Sequence, residues 1–177
     1  VLNTLAFRGS DRIPLDIWVL PAARLAHGQA FEELQARYAD RLDITSFVGP
    51  FDHGFTPEYY QVGTYTDPWG SQWTNIQAGV VGEVKHPVFA DYEAMKGYTP
   101  PTEQFLREWE RNKPALTGQI AAARKTGKFL IGGWVSVFER FQFLRGTENL
   151  YCDIALEEPE MFAMMDMVME FLRVYVD

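Results

Sequence analysis

The sequence predicts an α/β fold on parallel strands, and three adjoining stretches carry that expectation. Residues 12–20 alternate Ile13, Leu15, Ile17 and Val19 with other side chains, which is the period of a strand. Residues 22–41 are rich in Ala, Glu, Gln, Leu and Arg, and they place Leu25, Phe31, Leu34 and Tyr38 at helical spacing. Residues 42–48 supply a second short apolar, β-branched run, closed by Gly49 and Pro50. Strand, helix and strand in this order begin a parallel sheet, because parallel neighbours need a crossover between them.

Each element has its local reason. Pro14 sits near the start of the first strand, where a missing donor is tolerated, and Gly28 weakens the first turns of the helix. Between residues 51 and 101 glycine punctuates short strand-like runs at 62–66, 71–77 and 80–85, which predicts a β-hairpin excursion. Residues 89–98 and 102–125 return to helical character, the second interrupted or kinked near Pro114, which removes a donor and clashes one turn back. Residues 128–134 read as the next buried strand. Residues 135–144 and 159–176 read as helices, with Pro159 acceptable in a first turn and residues 147–158 as the link between them. No repeat or low-complexity tract interrupts what reads as one domain over residues 1–177.

Composition narrows the partners. Hydrophobic residues make up 47% of the chain, ample for a packed core and unlike a disordered segment. The formal charge of -8 repels phosphate backbones and anionic membrane surfaces, so nucleic acid and membrane are not expected partners. No run approaches the roughly 20 apolar residues of a membrane-spanning helix, and the N-terminus carries no basic region followed by an apolar core. The one cysteine, Cys152, cannot form an internal disulfide and points to a reducing compartment, hence a cytoplasmic location. Val1 lies inside a helical pattern without an initiator methionine and Asp177 inside an uninterrupted one, which predicts a longer parent sequence.

Four segments carry a family likeness that covers nearly the whole chain. They are Asp11-Arg12-Ile13-Pro14-Leu15-Asp16-Ile17-Trp18; Asp67-Pro68-Trp69-Gly70-Ser71-Gln72-Trp73; Gly82-Glu83-Val84-Lys85-His86-Pro87 with Asp91-Tyr92 and Tyr98-Thr99-Pro100-Pro101; and Phe138-Glu139-Arg140 through Leu144-Arg145-Gly146-Thr147-Glu148-Asn149. In order and spacing these resemble the uroporphyrinogen decarboxylase-like superfamily, in the branch related to corrinoid-dependent methyltransferases. The resemblance implies a (β/α)8 barrel with its active site at the C-terminal ends of the strands. A closed barrel takes about 250 residues, so the chain resembles the N-terminal half of one, with a β-hairpin insertion.

The decarboxylases of the family carry an arginine-rich loop of the form Met-Arg-Gln-Ala-Gly-Arg-Tyr after the first strand. Here the corresponding stretch is Leu20-Pro21-Ala22-Ala23-Arg24-Leu25, which keeps Arg24 alone, and the aspartate that ends their second strand is missing from Ser46-Phe47-Val48-Gly49-Pro50. A polycarboxylate would meet little positive charge, which ranks corrinoid-linked methyl transfer on a small molecule above decarboxylation of a tetrapyrrole or small acid. The methyltransferases hold zinc through a His-x-Cys pair and a later Cys. His27, His53 and His86 are scattered and no His-x-Cys occurs, so no metal ligand is carried over, and zinc and corrinoid are expected only in a complete protein. A non-catalytic split-barrel binding subunit is the remaining reading. A corrinoid protein, a second copy and a barrel-completing chain segment are the partners implied.

Candidate site residues follow from their places on the expected barrel. Asp16 and Trp18 end the first strand, as a substrate-facing acid with an aromatic wall or as strand packing beside a solvated carboxylate. Asp67, Trp69 and Trp73 line a pocket on the hairpin, or form a turn aspartate beside packed tryptophans. Glu139 and Arg140 follow the strand at 128–134 and can bind and orient a polar substrate; a surface ion pair reads identically. His53 follows the second strand and titrates where an acid or base is useful. Arg24 is a substrate-binding candidate through the loop likeness. Arg145 and Glu148 read as a helix-end staple, Cys152 as a small buried side chain, and the methionines at 161–169 as core or subunit interface.

Overall fold

A computed structural model describes residues 1–47, 57–132 and 136–176. In chain order the elements are α1 (Leu2–Leu5), α2 (Pro21–Tyr38), β1 (Ile44–Phe47), β2 (Gly63–Thr66), β3 (Gln72–Asn75), β4 (Glu83–His86), α3 (Thr102–Arg124), β5 (Phe129–Gly132), α4 (Val137–Arg145), α5 (Thr147–Leu156) and α6 (Pro159–Val176). Two sheets result. β1 pairs with β5 in parallel, with Ile44 opposite Phe129 and Phe47 opposite Gly132. β2, β3 and β4 form an antiparallel sheet in that order, with a register irregularity between Gln72 and Trp73.

Residues 12–20 form no strand, contrary to their alternation. Pro14 brings no N–H, and the Leu15 N–H donates to the Asp43 carboxylate (2.9 Å) instead of to a main-chain carbonyl. The Asp43 N–H in turn donates to the Leu15 carbonyl (2.9 Å), and the Arg12 guanidinium forks onto Asp43. The segment is therefore tied beside the start of β1 at one point, without a ladder.

The helix expected at residues 22–41 is present as α2, started by Pro21 and broken at Gly28, whose backbone is left-handed (φ 48°). Pro114 is accommodated inside α3. Residues 89–98 contain only a 3-10 turn, Tyr92–Met95, because Asp91 accepts from the Glu93 N–H and caps a short turn there. The expected link at 147–158 is instead mostly helix, α5, with Glu148 in its first turn and Glu157 left-handed (φ 54°) at its end.

The core is built where α4, α5, α6 and the first turn of α3 close over the β2–β3 turn. Met161, Met164, Val168 and Phe171 repeat at three- and four-residue steps along α6 and are all buried. They pack with Trp69, Phe89, Phe105, Phe141, Leu144 and Leu150. Trp69 meets Phe171 edge-on (4.7 Å between ring centroids), which fixes the turn against the helix. Among the described residues of 1–45, by contrast, no side chain is buried. No helix among the described residues is long and apolar enough to cross a membrane.

Candidate functional site

The densest polar arrangement surrounds Asp67, in the turn between β2 and β3. One carboxylate oxygen accepts from the Trp69 and Ser71 N–H groups (2.9 Å each); the other accepts from Trp73 Nε1 (3.1 Å) and lies 3.6 Å from Arg140 Nη1. The local pattern is an Asx turn, which an aspartate two residues before the turn amides forms readily. Arg140 enters from the first turns of α4, with its guanidinium 5.0 Å from the Trp69 ring centroid and 5.5 Å from that of Phe143. The two side chains expose only 4% and 1% of their surface for Arg140 and Asp67, so this is an interior ion pair and its hydrogen bonds decide its worth.

Neighbouring groups extend the same knot. Ser71 Oγ donates to the Phe143 carbonyl (2.8 Å) and accepts from the Val88 N–H (3.2 Å), and the Tyr98 hydroxyl donates to the Trp69 carbonyl (2.8 Å). Tyr59, Tyr65 and Trp73 stack in a cluster with centroids 4.2 to 5.9 Å apart. Burial pushes the Asp67 carboxyl above its ordinary range, opposed by the Trp73 hydrogen bond, Arg140 and the turn amides. Burial lowers Arg140, opposed chiefly by Asp67. Burial raises Tyr59, Tyr65 and Tyr98 above the ordinary phenol value.

Of the sequence candidates, Asp67, Trp69, Trp73 and Arg140 are thus brought together. The arrangement differs from the expected one in two ways. Arg140 pairs with Asp67 and not with its neighbour Glu139, because successive helical positions face apart: Arg140 turns inward and Glu139 is exposed. Trp69 and Trp73 are each 2% exposed, so they pack the interior instead of walling an open pocket. The cluster holds the β2–β3 turn against α4.

The other candidates stand elsewhere. Asp16 is exposed and accepts from the Ile17 N–H, and Trp18 is 69% exposed on the same extended segment. Arg24 is on α2, paired with Glu32 (2.7 Å) and lying over the Phe31 ring. His53 lies outside the described residues, as do residues 48–50 and 133–135, where the expected strands at 42–48 and 128–134 run on past their described portions. Cys152 is exposed, not buried as its apolar neighbours suggested.

A second network escaped the sequence reading. Arg145 Nε donates to Asp153 (2.6 Å), its Nη1 donates to the carbonyls of Phe89 and Ala90 (2.9 and 2.6 Å), and its guanidinium lies 4.1 Å from the Tyr92 ring centroid. The Tyr92 hydroxyl also donates to Asp153 (2.6 Å). Arg145 therefore pairs with Asp153 and not with Glu148 at helical spacing. The Arg145 hydrogen bond holds the Asp153 carboxyl below its ordinary value. The two residues belong to successive helices separated by Gly146, so no single periodicity joins them.

Among the described residues, no three His, Cys, Asp or Glu side chains are grouped closely enough to hold a metal ion. No family model, no curated protein and no solved structure matches the chain.

Proposed function

We propose that the chain is the N-terminal part of a uroporphyrinogen decarboxylase-like (β/α)8 barrel that serves corrinoid-linked methyl transfer to or from a small molecule. The observation that carries the reading is that three of the four segments bearing the likeness are one another's contacts, the segment at 11–18 being tied to Asp43 instead. Asp67 meets Arg140, Ser71 meets Phe143, Tyr98 meets Trp69, and Tyr92 lies under Arg145. Residues that a family pattern specifies together are here residues that pack together. The parallel pairing of β1 with β5, with α3 ahead of β5, supports the parallel α/β part of the reading; the barrel rests on the resemblance.

Ligands of parallel α/β folds bind beyond the C-terminal ends of the strands. In the sequence His53 follows β1 and Glu139 follows β5, so the proposed substrate side carries these two as acid or base. Asp16, Trp18 and Arg24 are the further substrate contacts proposed. Arg140 and Asp67 would position that side by anchoring the first turns of α4, with Trp69 and Trp73 as the packing behind them. Corrinoid, when bound, would supply the methyl-carrying metal centre.

A second reading, a split-barrel subunit completed by another chain segment, is favoured by the exposure of Ile13, Ile17 and Leu25 and by a parallel sheet that has two strands among the described residues. The test expresses the chain together with whatever coding sequence continues beyond Asp177, incubates that product with methylcobalamin and a panel of small thiol acceptors, and follows the visible spectrum. Acceptor-dependent loss of the methylcobalamin absorbance is expected. An unchanged spectrum together with carbon dioxide release from a carboxylated tetrapyrrole would replace methyl transfer by decarboxylation; inactivity in both assays would favour the binding subunit.

A further inference from the structure

We draw no further inference here: the strongest candidate, the exposed apolar surface of Ile13, Leu15, Ile17 and Ile131 along the β1–β5 sheet, carries nothing because nothing in the structure shows what covers it.

Discussion

Helices α2 and α6 are each 18 residues long and each begins with proline, yet they end in different surroundings. Along α6 the residues Met161, Met164, Val168 and Phe171 are buried, whereas on α2 Leu25 and Leu34 remain exposed. The same division runs through the molecule. Among the residues whose burial is described, every buried side chain falls within residues 59–105 or 140–171, while residues 1–45 and β5 hold none. Apolar periodicity tells which face of an element wants cover; it does not tell whether the cover is present.

The largest expected effect is at the Asp67–Arg140 pair, the point where β2–β3 and α4 are locked. Arg140→Ala would leave the carboxylate buried without its countercharge and should cost about 3–5 kcal/mol in urea denaturation. Asp67→Ala should cost a similar amount, and the double variant less than the sum, because the partners share one interaction. Strictly additive costs would mean that the two side chains stabilise the fold independently.

Truncations on the two sides sharpen the contrast next. Leu144 is fully buried in the core, and Leu144→Ala should destabilise by about 2–5 kcal/mol. Ile17 is 54% exposed, and Ile17→Ala should stay within about 0.5 kcal/mol. Equal losses would show that residues 12–20 are covered in solution, which is what the split-barrel reading requires.

The seam between the two regions offers a smaller perturbation. The Gly79 N–H donates to the Tyr60 carbonyl (2.7 Å), and the Gly79 carbonyl accepts from the Ala22 N–H (2.9 Å) at the start of α2. Gly79 is left-handed (φ +83°), and a Cβ there would stand 2.4 Å from the Ala22 nitrogen. Gly79→Val should therefore push the start of α2 away at about 1–3 kcal/mol. Hydrogen exchange should quicken in α2 and remain slow in α6; equal acceleration in both would merge the two regions into one cooperative unit.

How much of this was legible follows the same division. The helices α3 and α6 and the three hairpin strands were readable because local periodicity and glycine placement determine them, whereas of the methionines at 161–169 only Met161 and Met164 are buried and Met169 is exposed. The strand expected at 12–20 was misread because alternation is necessary for a strand but pairing makes one, and the Asp43 side chain takes the Leu15 N–H. Asp67, Trp69 and Trp73 form one group of candidates in the sequence and Arg140 belongs to another with Glu139; their mutual pairing joins the β2–β3 turn to α4, which spacing cannot reveal. Arg145 was assigned to Glu148 by helical spacing, and Gly146 turns the chain so that Asp153 reaches it instead.

The effect that isolates the Arg145 network is a pH dependence. Asp153 has a carboxyl held below its ordinary value of 3.8, so its ionised form is favoured in the folded state. Its contribution to stability is fully present above the unfolded value and is lost as pH falls through the lower folded value. Asp153→Asn keeps the shape and removes the charge, which should cost about 1.5–3 kcal/mol near neutral pH, the usual worth of hydrogen bonds to charged groups. The gap between wild type and variant should then narrow as pH drops below the unfolded value, since protonation of Asp153 does to the wild type what the substitution has already done. Asp67, whose carboxyl burial shifts upward, should show the opposite slope: ionisation there opposes folding as pH rises toward its folded value. Equilibrium unfolding of wild type and Asp153→Asn across the acid limb reads the difference directly, and a gap that stays constant with pH would mean that Asp153 stabilises the helix junction by shape and not by charge.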